Sequence, residues 1–320
     1  LYELYINNGE HLLRPRVVEG VKWDLDISGS AGKLTFDVYS DQKLVFEEGN
    51  PVMLKSGDEG IFYGFVFTKK RDPAKKTIKV TAYDQRRYLK NKATYSYENK
   101  KAGEVLQMIA EDFRLELGYI EDTEYVIPAR VEENRSLFDI IITALNLTVQ
   151  NCGKMFVLGD EFGKLTIRNI EDLKLNILID EQTAKSYDYE TSIDKDVYNK
   201  IKITQENKSS GGVDVYIAQD SANINKWGLL QYLDGTQEGI NPENQADSLL
   251  ELYNNKLNKL SLKDVIGDVR YRPGYSPIIY LKLDDRVISH YMVIVSATHS
   301  FKNREHFTNL KLRGGGFDSD

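Results

Sequence analysis

At 320 residues, 41% of them hydrophobic and 28% charged, the chain holds enough apolar material for two or three units with their own cores and too much to stay disordered. Its net charge of -7 argues against general binding to nucleic acid, because sequence-independent affinity for a polyanion comes from neutralised phosphates. The balance is uneven: the first 100 residues carry 17 basic and 14 acidic side chains, which leaves -10 for the remainder.

Residues 1–92 read as short strands separated by reversals. KLTFDVY alternates Leu34, Phe36 and Val38, IFYGFVFTKK alternates Ile61, Tyr63, Phe65 and Phe67, and KTIKVTAY alternates Ile78, Val80 and Ala82. EEGNP, SGDEG and RDPAKK supply the Gly, Pro and Asp that turns need. The absence of a helical period between these strands predicts a small barrel or sandwich. No apolar run here or further on is long enough to cross a bilayer, and the opening LYELYINNGEHLLRPRVV lacks the uninterrupted apolar stretch of a secretion signal.

The period changes over residues 93–180. Asn99 is expected to cap a helix carrying Ala102, Val105, Leu106, Ile109, Ala110 and Phe113, with Gly118 as its stop. A second helix is expected from Ser136, with Asp139 in the capping-box position, through Leu137, Ile140, Ile141, Ala144, Leu145 and Val149 toward Gly153. Cys152, the only cysteine, excludes an intrachain disulfide or thiolate cluster; its place in this apolar pattern predicts a buried small hydrophobe, and the chain is expected to fold in a reducing cytoplasm. KMFVLGDEFGKLTIRNI reads as a hairpin turning on Gly159, Asp160 and Gly163.

Strands return after Tyr187 in NKIKITQE, VDVYIAQD, PIIYLKL, YMVIVSATHSF and HFTNLKLR. One helix interrupts them, with Asn241 as cap, Pro242 at its first position, and Ala246, Leu249, Leu250, Tyr253, Leu257 and Leu260 on one face. KSSGG, residues 208–212, reads as a loop tip. FEEGNPVMLK with FYGFVFTKKRDPAKKTIKVTA, and YRPGYSPIIYLK with HYMVIVSATHSFKNREHFTNLKL, share one order of motifs. Each has an aromatic three residues before a Gly, a short strand, a turn, a longer strand, a charged loop and a final alternating strand. This echo suggests two versions of one barrel, so that three chains would present near-sixfold geometry.

The sequence offers little chemistry. His299 and His306 flank SFKNRE and could pair on a metal, but no cysteine lies near and the spacing is not helical, so packing or hydrogen bonding is the better reading; His11 and His290 add nothing to them. Asp284 and Asp285 read as a solvated turn, Gly314, Gly315, Gly316 and Phe317 as a tail, and the Ser-Gly-Gly of 210–212 lacks the setting of a nucleophile elbow. Glu190 and Asp284 have no evident carboxylate partner. Neither a catalytic residue, a metal nor a cofactor is expected.

One basic segment stands out. In AYDQRRYLKNKATYSYENKKAGEVL, Arg86, Arg87, Lys90, Lys92, Lys100 and Lys101 lie among four tyrosines, between a strand and a helix. It reads as a solvated link, as a protein interface favoured by Arg and Tyr, or, against the acidic whole, as a nucleic-acid contact. Arg86, Arg87, Tyr88, Lys90 and Lys92 are the interface candidates.

KVTAYDQRRYLKNKATYSYENKKAGEVLQMIAEDF, SLFDIIITALNLT, GKMFVLGDEFGKLTIRNI, GDVRYRPG and YMVIVSATHSFKNREHFTNLKLRG together, in this order, resemble the hub proteins of contractile phage tails, in particular those of PBSX-like prophages, which are related to late control protein D and to the central hub of myophage baseplates. The resemblance covers residues 17–313 and is weakest over 206–261. It implies an α+β, mostly β chain: a tail-tube-like β-barrel domain over 1–92, an α+β domain over 93–180, and a second tube-like barrel over 181–320 with a helical insertion near 241–261. It further implies a structural baseplate hub, not an enzyme: a homotrimeric ring joining the tail tube protein to the spike protein, touching the tape measure protein and other baseplate proteins. Such a ring is part of a virion or of a bacteriocin-like particle assembled in the bacterial host cytoplasm, with no cofactor, no specific nucleic-acid binding and no membrane insertion. The competing readings are a cell-wall glycan hydrolase, which lacks an acid pair, and a glycan- or receptor-binding module, which would use the 20 tyrosines; these are scattered along the chain instead of clustered.

Overall fold

The computed structural model describes residues 2–41, 44–207, 211–236, 241–284 and 286–314. Ser209, Ser210, Asp285, Gly315, Gly316 and Phe317, on which some of the sequence expectations fall, lie outside them. The chain is mostly β, and an eleven-stranded sheet dominates it. From one end the order is Ser186–Ser192, Leu257–Ile266, Glu305–Gly314, Val293–Lys302, Val17–Asp26, Lys33–Tyr39, Thr77–Tyr83, Glu59–Asp72, Pro51–Ser56, Tyr2–Asn7 and Leu12–Leu13. The two β regions therefore meet strand to strand, with Ser296 through Phe301 paired antiparallel to Asp26 through Val21. One hydrophobic cluster runs through both, from Leu4, Val38 and Val80 to Leu260, Ile279 and Leu310.

The echoed segments build similar meanders. Pro51–Ser56, Glu59–Asp72 and Thr77–Tyr83 follow one another antiparallel. In the second copy Ser276–Lys282 pairs with Val287–Tyr291, and Val293–Lys302 pairs with Glu305–Gly314. Ser276–Lys282 also takes Lys174–Ile179 as a parallel neighbour.

Helices α1 (Ala102–Phe113) and α2 (Leu137–Cys152) pack together over a second core that includes Leu89, Leu106, Ile109, Ile140 and Ile167. The boundary expected for α1 is corrected at both ends. Asn99 has a positive φ and stands outside the helix; Glu104 instead reaches back to the Lys101 amide at 2.7 Å. Arg114, left-handed at φ 53, ends the helix, because Leu117–Ile120, with Gly118 inside it, is needed as a strand beside Leu165–Asn169. α2 is as the capping pattern predicts: the Asp139 amide donates to Ser136 Oγ at 3.1 Å, and Gly153 closes the helix at φ 69. Cys152 is exposed, contrary to the expectation, because the last turn of α2 overhangs its core; its thiol donates to the Thr148 carbonyl.

A third unit interrupts the second β region. Lys200–Asn207 is flanked by Gly212–Gln219 and Gln231–Gly235, and α3 (Ser221–Trp227) connects them. α4 (Pro242–Tyr253) covers one face through Ala246 and Leu249, on a core of Ile201, Ile203 and Ala218. Asn241 caps α4, but Leu257 and Leu260 are not on it: the helix stops at Tyr253 and both leucines enter the large sheet. No helix of the described residues is long and apolar enough to cross a membrane.

Candidate interface site

The basic segment follows the last strand of the first meander as a 3-10 turn, Gln85–Lys90, capped by Asp84. Its neighbours divide the candidate residues. Arg86 is 6% exposed and enclosed by its own chain. Its Nε and Nη2 donate to Asp84 Oδ2 at 3.1 and 2.8 Å, and the same oxygen accepts the Gly32 amide at 2.8 Å. Burial alone would lower the Arg86 pKa; the adjoining Asp84 carboxylate outweighs it, and the net direction is upward. Gln85, also buried, ties the segment to the middle unit. Its Nε2 donates to the Glu116 and Gly163 carbonyls at 3.0 and 2.7 Å, and its Oε1 accepts the Glu116 amide at 2.6 Å.

Arg87 and Tyr88 are half-buried and Lys90 and Lys92 exposed. Tyr88 packs edge-on against Phe65 and tilted against Phe67, both at 5.9 Å, while the Arg87 guanidinium lies 5.3 Å over Phe67. These aromatics correct an expectation about their strand. Phe62, Gly64 and Val66 face the sheet core together with Ile61, and Tyr63, Phe65 and Phe67 face outward toward Phe162, Tyr83 and Tyr88. Ile61 and Phe62 are buried in succession beside a register shift, which changes the parity for the rest of the strand. The structure thus brings Arg87 and Tyr88 together on an aromatic seam, leaves Lys90 and Lys92 at its solvent end, and withdraws Arg86 into the interior.

Next to Arg86, Asp160 accepts the Gly163 amide at 2.8 Å and the Gln85 amide at 3.3 Å. Burial, followed by the Asp84 charge, pushes its pKa up to about 8 against the pull of Arg86. Nothing in the sequence signals this cluster except Asp84 standing two residues before Arg86.

The histidines form a hydrogen-bonded chain. His299, fully buried, bonds the Tyr271 carbonyl through Nε2 at 2.9 Å and His306 Nε2 through Nδ1 at 2.9 Å; His306 Nδ1 is 3.0 Å from the Tyr2 hydroxyl. A carbonyl only accepts, so His299 carries its proton on Nε2. His299 Nδ1 then accepts from His306 Nε2, and His306 Nδ1 accepts from Tyr2. Both rings are neutral, with pKa values lowered to about 3 and about 4, in each case chiefly by burial. The facing nitrogens meet each other, with the Thr308 hydroxyl also 3.1 Å from His299 Nδ1, which is hydrogen bonding and not chelation. Among the described residues, no three His, Cys, Asp or Glu side chains are grouped to hold a metal. Asp284 is exposed, and exposed Glu190 faces Lys259 at 3.4 Å.

A family model described as YQBQ-like matches residues 21–313. An uncharacterised protein, YqbQ, of Bacillus subtilis strain 168 is 31% identical over 273 residues, covering 83% of this chain and 81% of that protein. The phage-like element PBSX protein XkdQ of the same strain is 29% identical over the same shares. The fold resembles that of the 43 kDa tail protein of prophage MuSo2 from Shewanella oneidensis, with a TM-score of 0.70 at 11% identity over 97% of this chain and 98% of the other.

Proposed function

Because the chain belongs to the YQBQ-like family, matched over residues 21–313, we propose that it is a structural protein of a phage-like tail, acting as its baseplate hub. The observation that carries this reading is agreement along the whole chain. One relative with 81% of its length aligned and another that is a PBSX phage-like element protein share its sequence, and a prophage tail protein shares its fold end to end. In the finer reading, three copies close a ring between tail tube and spike, with the two β regions as tube-like barrel domains over 1–92 and 181–320 and the α+β domain over 93–180 between them. The repeated meander supports it, since two similar units in each of three chains match sixfold symmetry.

In this reading Arg87, Tyr88, Lys90 and Lys92 form a contact on the outside of the junction, and Arg86 holds the junction from within. The tape measure protein and other baseplate proteins are the remaining partners. The acidic balance after residue 100 fits a lumen that repels DNA phosphates and lets a genome slide through; a basic lumen in an assembled ring would overturn that element. Light scattering on the purified chain, alone and with the spike protein of its own gene cluster, tests the ring. A three-chain mass in either condition is expected. A single-chain mass in both, together with saturable binding to cell-wall glycan, would replace the hub with a glycan-binding module.

A further inference from the structure

A cavity of about 40 Å3 lies where the first β region, the Phe156–Asp160 and Leu165–Asn169 hairpin, and the Arg272–Pro273–Gly274–Tyr275 loop converge. Its walls include Trp23, Tyr275, the arginines Arg86, Arg168 and Arg272, and the acids Asp160 and Glu161. Three of these bring donors that the protein leaves without an adequate acceptor. Trp23 is 2% exposed, and its indole N–H has no hydrogen-bond partner. The buried Nε of Arg168 has none either; Glu161 and Glu121 stand 3.7 and 4.0 Å from this guanidinium, beyond hydrogen-bond range.

Arg272 has no carboxylate within 4.0 Å among the described residues. Its Nε and Nη2 reach only the Val269 and Ile61 carbonyls, at 3.1 and 3.3 Å, and its guanidinium lies 5.1 Å over the Trp23 ring. Burial lowers its pKa and outweighs the upward pull of Tyr275, Glu161 and Asp160, none of which forms an ion pair with it. Of the acids around the cavity, Glu161 faces Arg168 at 3.7 Å and does not come within 4.0 Å of Arg272. Asp84 is taken by Arg86, and Asp160, pushed up to about 8, is mostly protonated at neutral pH.

We propose that this cavity binds a small monoanion with the size and chemistry of a carboxylate group, held by Arg272 and Arg168 beside the Trp23 indole. An enclosed guanidinium is costly without a partner, and an anion supplies the acceptors that these donors lack. The volume sets the class. A water needs about 10–15 Å3 of such space, so the cavity admits roughly three heavy atoms, the number in a carboxylate group. A free formate and the tip of an Asp or Glu side chain from another chain both meet these limits. The site does not depend on the hub reading, since every wall residue belongs to one chain.

The test uses the full chain labelled with 15N at its two tryptophans, with Trp227→Phe assigning the Trp23 indole resonance. Titrated sodium formate is expected to shift that resonance saturably, with half-saturation at roughly millimolar concentration or above, as three heavy atoms allow. Formamide, equal in size and uncharged, is expected to leave it unmoved, and the formate response is expected to vanish in Arg272→Met. Blocked Gly-Asp-Gly and Gly-Asn-Gly peptides separate the sources. A shift with the Asp peptide alone points to a partner's side chain, and a shift with formate but neither peptide points to a free anion. The same shift with formamide, no saturable shift with either carboxylate, or a formate response that survives in Arg272→Met would overturn the proposal; the formamide comparison needs no variant to fold.

Discussion

Arg86 and Arg87 are neighbours in sequence with opposite surroundings, and the difference is measurable. Arg86→Met leaves the Asp84 carboxylate buried without its cation, which is expected to destabilise the fold by about 3–5 kcal/mol in urea unfolding. Arg87→Glu gives up only a partly solvated contact with Phe67 and is expected to cost under about 1 kcal/mol. Equal losses would contradict the division of the segment into a buried half and a surface half. The sequence identified the segment as a junction but could not sort its arginines, because burial there depends on Gly32, 54 positions away from Arg86, offering its amide to the same carboxylate. The histidines were legible as a packed pair. Their link follows from hairpin register, with Phe301 opposite His306 and His299 opposite Thr308, so that the two rings meet diagonally on one face.

At the scale of elements, strands and helices with clean periods were readable, and the misplacements have local causes. α2 and α4 carry caps that satisfy backbone donors through their own side chains, so their starts were predictable. The Glu59–Asp72 strand misled because consecutive burial of Ile61 and Phe62 shifts its parity, which no alternation rule anticipates. Gly64 tests the corrected facing. A Cβ there would collide with the Tyr83 backbone carbonyl, which is fixed in the neighbouring strand, so Gly64→Ala is expected to destabilise by about 1–3 kcal/mol. At Gly235 the nearest atom to an added Cβ is 3.8 Å away, and Gly235→Ala is expected to stay within about 0.5 kcal/mol of the parent. Similar melting temperatures for the two variants would place Gly64 on the wrong face.

At the scale of the whole molecule, the histidine chain joins the strand that begins at Tyr2, the C-terminal hairpin and the Tyr271 loop, so its protonation bears on the fold that unites both β regions. In the unfolded chain a histidine takes a proton near pH 6.5, whereas folded His299 and His306 resist it down to about 3 and about 4. Below pH 6.5 the unfolded state therefore binds more protons and stability falls as pH falls. The slope is about 1.4 kcal/mol per pH unit for enclosed His299 and less for His306, whose edge reaches solvent. Asp268 opposes this for both rings and Arg272 reinforces it for His299. Asp160 acts with the opposite sign: raised to about 8, it is protonated in the folded state and ionised in the unfolded one between about pH 4 and 8, so its contribution is lost as pH rises through that window. Two histidines outweigh one aspartate below 6.5, and the aspartate acts without them above it. Stability measured by urea midpoint is therefore expected to peak near pH 6.5. His306→Gln, which can still donate and accept, is expected to flatten the limb between pH 4.5 and 6.5, and Asp160→Asn to remove the decline between 6.5 and 8. A midpoint that stays level from pH 4.5 to 8 would mean that burial does not hold His299 and His306 neutral or Asp160 protonated in the folded chain.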